Sequence, residues 1–159
     1  MNYQLKKIRK IIESVKDTDL FQQAFLHTSY LNELKLRGNS DPGSDFASNP
    51  KHSYETLEFL GDSVLNFYTA LFIYNKFSNY AEGQMSKLKQ LMVQESTLAE
   101  LSREIGLGEF LQLGAGERKN RGAEKESILA DVFESFVAAL YLEKGGKRVY
   151  RFLSLTIFT

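Results

Sequence analysis

The sequence predicts an all-helical single domain. Apolar residues recur at three- and four-residue steps along most of the chain, and no run alternates apolar and polar residues for long enough to compete as a strand. Both prolines, Pro42 and Pro50, fall in one Gly-, Ser-, Asn- and Asp-rich stretch, 38–52, which reads as a flexible loop. There is no internal repeat, and the 159 residues suit one core.

Taken in order, Leu5, Ile8, Ile11, Ile12 and Val15 mark a first amphipathic helix with Lys6, Lys7, Arg9 and Lys10 on its wet side. Asp19 with Gln22 can cap a second, carrying Leu20, Phe21, Ala24 and Phe25 and leading into HTSYLNELKLR. A long helix follows the loop, from about Ser53 to Phe77. Met85, Leu88, Leu91 and Met92 mark another, whose two methionines read as core, and Thr97 with Glu100 forms a capping box for the next, which stops at Gly106. The stretch 106–122, with five glycines and no sustained period, reads as a connecting loop; its glycines fit neither a dinucleotide nor a P-loop spacing, so no nucleotide cofactor is expected. A helix over Glu126 to Lys144 ends at Gly145 and Gly146, and Val149, Phe152, Leu153 and Ile157 indicate a terminal helix over 145–159.

Composition narrows the chemistry. With no cysteine there is no disulfide framework, thiolate metal site or thiol nucleophile. The longest charge-free apolar run, Ser63 to Asn75, is too short for a membrane span, and the amino terminus lacks a secretory core, so a cytoplasmic protein without a membrane partner is expected. Twenty Lys and Arg balance twenty Asp and Glu, which weighs mildly against a nucleic-acid partner. His27 and His52 have no companion at zinc spacing, and no serine sits in a nucleophile elbow.

Two helices carry acids where apolar residues surround them. In YETLEFLGDSVL, Glu55, Glu58 and Asp62 fall within roughly 60° of one another around the axis. In SILADVFESF, Asp131 and Glu134 share a face three residues apart. No Lys or Arg lies between Lys51 and Lys76, nor between Lys125 and Lys144. Unit charges about 4 Å apart interact by roughly 4 kcal/mol at an effective dielectric of 20, so uncompensated carboxylates gathered together call for a cation. Hard ions such as Mg²⁺, or Mn²⁺ in its place, take carboxylate oxygens and retain activatable waters.

These residues resemble the ribonuclease III family. ETLEFLGDSVL is similar to its signature, and HTSYLNE, AEGQMSKLK, GLGEFLQLGAGE and ESILADVFESFVAALYLEKG follow in the family's order, from about Asp19 to Gly145. The resemblance implies an all-α endonuclease domain acting as a homodimer on double-stranded RNA. Glu58, Asp62, Asp131 and Glu134 match the catalytic Mg²⁺-binding set, with Glu134 most tied to chemistry. Glu55 and Glu82 match acids lining the cleavage valley, and Phe59 matches an aromatic residue that plugs into the partner subunit. Metal held by the four acids would polarise a phosphodiester and acidify a bound water, leaving 5′-phosphate and 3′-hydroxyl ends with two-nucleotide 3′ overhangs, as in rRNA and mRNA processing. Lys87, Lys89, Arg118, Lys119, Arg121 and Lys125 are candidates for backbone contact with A-form RNA, which is read by shape.

Three departures from the family stand out. The loop over 38–52 is longer than usual, Thr56 occupies a position where the family often has Arg, and the chain reaches Thr159 where a basic double-stranded-RNA-binding domain is usually joined. The rival reading is a non-catalytic RNA-binding or ribosome-associated relative, against which the full acid set argues, since converging carboxylates repel RNA phosphate. Setting the four acids aside leaves sixteen against twenty bases, a surplus that implies weak, salt-sensitive RNA binding by these residues alone.

Overall fold

The computed structural model describes residues 3–36 and 52–158. Among the described residues nine α-helices follow one another: α1 Tyr3–Glu13, α2 Asp19–Ala24, α3 Thr28–Leu36, α4 Glu55–Lys76, α5 Glu82–Val93, α6 Glu95–Ile105, α7 Ala115–Lys119, α8 Glu126–Lys144 and α9 Gly146–Thr156. Among the described residues the β pairing amounts to one isolated parallel bridge, Leu26 to Gln112. The all-α class expected from periodicity is therefore the observed one. The predicted loop lies outside the described residues except for His52.

Helix α8 forms the centre, packed against α4, α6, α2 and α9. From Ile128 to Leu140 every residue is buried except Asp131 and Glu134. Phe21, Phe25, Phe110 and Phe136 pack edge and face around one flank, and Phe133 and Phe152 around the other. A helix apolar all round belongs inside, and here that rule is followed.

Helix α4 buries Leu57, Gly61, Leu65, Thr69 and Ile73, one residue every four, against α8. Gly61 is where the two backbones meet: a Cβ there would lie 1.9 Å from the carbonyl oxygen of Glu134 and 2.4 Å from its carbon. Only hydrogen fits in that space. The rest of α4 is less buried than its composition suggests, because Phe59, Phe67, Leu71 and Tyr74 stand on an open side.

Several local expectations are corrected. Helix α2 is capped by Thr18, whose Oγ1 accepts the Phe21 N–H at 3.2 Å; Asp19 is already helical. Helix α6 starts two residues before Thr97, whose hydroxyl donates back to Leu91 O instead of capping. Met85 and Met92 are not core, since α5 buries none of its residues and Leu91 is 51% exposed; this helix rests on α4 and α6 from outside. The stretch 106–122 is not a plain loop, for it holds a 3₁₀ turn, Leu107–Phe110, and α7, with another 3₁₀ turn at Gly122–Glu124. Gly106 and Gly145 end their helices at positive φ, 77° and 74°, as their position implied.

Gly61→Ala should lower stability by about 1–3 kcal/mol or more, because the helices must part. Gly83→Ala, on α5 with open space around it, should be neutral or slightly stabilising. Urea unfolding of both variants checks this; equal midpoints would contradict the close contact.

Candidate functional site

The Gly61 contact carries the acids with it. Glu58 and Asp62 stand one turn before and one residue after Gly61, and the residue whose main chain it touches is Glu134. One turn earlier on α8 is Asp131. These carboxylates are close enough for their charges to act on one another. Burial raises the Glu134 carboxyl first, Asp62, Glu58 and Asp131 raise it further, and it reaches about 8. Burial, then Asp131, Glu55 and Asp62, push Glu58 up as well. Asp131 is raised by burial against the pull of a hydrogen bond from Tyr54, with Glu95 and Glu55 adding to the rise and His27 opposing it. None of these acids is in an ion pair among the described residues, which agrees with the absence of bases within a turn of them.

Neutral donors replace the missing bases. The Tyr54 hydroxyl donates to Asp131 Oδ2 at 3.0 Å, and Asn66 Nδ2 donates to Asp62 Oδ1 at 2.8 Å. Burial and the surrounding acids push the Tyr54 phenol well above its ordinary range, so it stays protonated and remains a donor. The Ser53 hydroxyl donates to Glu55 Oε2 at 3.2 Å.

Oxygen donors alone, uncompensated by bases, are the set that Mg²⁺ or Mn²⁺ takes. Among the described residues, however, no three His, Cys, Asp or Glu side chains are drawn tightly enough together to hold a metal as they stand. Like charges with no cation between them favour separation.

The other expected residues divide. Glu55 joins the acid field. Glu82, at the start of α5, accepts a hydrogen bond from Ser86 Oγ at 2.6 Å and is not among the acids acting on Glu58, Asp131 or Glu134. Lys125 pairs with Glu117, Arg121 with Glu124 at 2.8 Å, and Arg118 donates to Leu113 O. Lys87 and Lys119 are exposed, while Lys89 helps to line an apolar groove of about 410 Å³ with Phe67, Leu71, Tyr74 and Met85. Phe59 is 81% exposed, so core packing does not account for it. Among the described residues no helix is long and apolar enough to cross a membrane.

Four residues of the site escaped sequence reasoning. Gly61 carried a signal, a lone glycine inside an apolar helix. Tyr54, Asn66 and Glu95 carried little, since Tyr54 and Glu95 reach Asp131 across the fold and Asn66 looks like any polar residue on an exposed turn.

The chain has clear relatives. The Ribonuclease-III-like family pattern matches residues 17–159. It is 38% identical over 144 residues to a protein called Ribonuclease 3 from Mesoplasma florum, covering 91% of this chain and 56% of that one. With Ribonuclease 3 from Halalkalibacterium halodurans it shares 42% identity over 139 residues, covering 87% and 48%. The chain thus spans about half the length of these curated relatives. A structure of the ribonuclease III nuclease domain from Campylobacter jejuni, concerned with flexibility in a region involved in dimer formation, superposes with TM-score 0.75 at 29% identity, covering 96% of this chain and 99% of that one. A second structure of that nuclease domain gives 0.74 at 31%, covering 95% and 94%. With a shared pattern over nearly the whole sequence and a shared fold, the chain belongs to the Ribonuclease-III-like family.

Proposed function

We propose that this domain is the cutting part of a metal-dependent endoribonuclease that hydrolyses double-stranded RNA and works as a homodimer in the cytoplasm, on structured ribosomal and messenger RNA. One observation carries the reading: Asp131 and Glu134 are the sole breaks in the buried run of the central helix, Glu134 lies within the field of Glu58, Asp62 and Asp131, and Asp131 acts on Glu58, with no base to neutralise them. A site for holding a substrate by charge alone would have the opposite sign.

Glu58, Asp62, Asp131 and Glu134 would hold Mg²⁺ or Mn²⁺. Bound there, the ion would supply Lewis acidity toward a phosphodiester and lower the pKa of water, chemistry that suits hydrolysis to 5′-phosphate and 3′-hydroxyl ends with two-nucleotide 3′ overhangs from paired sites. The protein's own part is positional. Tyr54 and Asn66 hold the two aspartates by neutral bonds that leave their charge intact. Glu134, raised to about 8, holds a proton in the metal-free protein at neutral pH and must release it to become a ligand. Glu55 adds negative charge beside the set, and Glu82 would line the same valley. Lys87, Lys89, Arg118, Lys119, Arg121 and Lys125 would meet RNA phosphates, with Arg118, Arg121 and Lys125 first giving up local partners. The open side of α4, with Phe59 at one end and the apolar groove further along, supports the homodimer.

Glu134→Ala should reduce cleavage of long double-stranded RNA in Mg²⁺ by more than about a hundredfold, since residues that merely support ligands cost ~10–100-fold. Cleavage at the parent rate would remove the site, and equal cutting of duplex DNA would remove the RNA preference.

The raised carboxyls also set a pH dependence. In the folded protein Glu134 keeps its proton up to about 8, whereas in the unfolded chain it loses it near 4.5. Its stabilising contribution is therefore full below the unfolded value and is lost as pH rises through the window to about 8. Because metal competes with those protons, Mg²⁺ should raise the thermal midpoint more at about pH 8.5 than at about pH 5.5. A shift independent of pH would argue against carboxylate ligation.

Phe59→Ala should raise the monomer fraction in sedimentation; an unchanged dimer would remove its role at the interface.

A further inference from the structure

Tyr54 is held from every side that could let it move. Its N–H donates to Leu26 O at 2.9 Å, and its carbonyl accepts the Leu57 and Glu58 N–H groups at 2.8 and 2.9 Å as α4 begins. The same carbonyl accepts the buried Ser135 hydroxyl of α8 at 3.0 Å. The residue is 4% exposed, and the His27 ring lies edge-on to its own ring with centroids 5.6 Å apart. His27 is itself anchored, its Nδ1 accepting the Ser29 N–H at 3.1 Å, while the Ser29 hydroxyl accepts Gly114 N–H at 2.9 Å. The HTSY segment is thus a buttress behind one tyrosine. What that tyrosine presents to the site is a single fixed hydroxyl.

We infer that Tyr54 is a positioning residue: its hydroxyl takes Oδ2 of Asp131 and so leaves Oδ1 for the cation site proposed with Glu58, Asp62 and Glu134. The inference deepens the proposed metal site and rests on it. A phenol suits the task because it orients the carboxylate without cancelling its charge, as a Lys or Arg would. Asn66 treats Asp62 in the same way from the α4 side, through Nδ2 to Oδ1 at 2.8 Å. Among the described residues no hydrogen bond reaches the carboxylates of Glu58 or Glu134. The four acids therefore divide into two set in place beforehand and two free to close. Serine at 135 has the same logic one step further back, since its hydroxyl joins the main chain of Tyr54 to the helix that carries Asp131.

The test is Tyr54→Phe in the full chain, which removes one oxygen and leaves the ring. Mn²⁺ binding is read by calorimetry, and cleavage of double-stranded RNA is followed across a Mg²⁺ titration. The variant should bind Mn²⁺ about tenfold more weakly, the low end for a residue that supports a ligand. The Mg²⁺ concentration for half-maximal cleavage should rise by the same factor, with kcat at saturating Mg²⁺ within about threefold of the parent. Each thermal midpoint is compared with the same variant's metal-free value, so a loss of stability does not imitate a loss of metal. Unchanged Mn²⁺ affinity, with or without a lower midpoint, overturns the positioning role and leaves the site standing. A parent protein that takes up no Mn²⁺ overturns the carboxylate site, and this role with it.

Discussion

The domain depends on one contact without a side chain, that of Gly61 on α4 with the main chain of Glu134 on α8. Packed helices ordinarily keep their axes about 8–10 Å apart, the distance set by the side chains between them. A glycine at the crossing lets backbone meet backbone. Because Glu58 and Asp62 flank that glycine and Glu134 is the residue it touches, the spacing of the acids is a property of the two main chains. Stability and site geometry share this point. A larger residue there would loosen the core and open the site together.

The second constraint is electrostatic. A central helix whose residues from Ile128 to Leu140 are otherwise all buried keeps two acidic residues, Asp131 and Glu134, at half-buried positions. Burial is the leading cause of the upward shift at Glu58, Asp131 and Glu134, with mutual repulsion behind it. Such an arrangement opposes folding unless protons or a cation relieve it. The apolar packing of α8 against its neighbours sustains it. Tyr54 eases the charge at Asp131 by donating a hydrogen bond, and neither Tyr54 nor Asn66 cancels it as a base would.

Much of this was legible in the sequence, for physical reasons. The ends of helix α8 were legible because an apolar run closed by two glycines is a strong signal, and the shared acid faces followed from helical periodicity alone. That no base lies within a turn of the acids was visible as well, whereas only the fold shows that none reaches them from elsewhere among the described residues. The cap of α2 was misplaced by one residue, since Thr18 and Asp19 are both able caps and only the backbone conformation chooses between them. The methionines of α5 were misjudged because apolar spacing predicts a covered face without saying what covers it. Tyr54 was hidden by distance along the chain: it and Asp131 stand 77 residues apart, and neither carries a local sign of the other.

The rigidity of the α4–α8 crossing also bears on ion size. Two helices locked backbone to backbone cannot slide to widen a cleft, and the two aspartates are pinned by their neutral donors. Glu58 and Glu134 are left to make every adjustment by turning their own side chains. For the proposed cation site, this favours an ion with ligands about 2.0–2.1 Å away over one that demands about 2.3–2.6 Å and more of them. Discrimination between Mg²⁺ and Ca²⁺ would then originate in a missing Cβ, at a residue that never touches the ion.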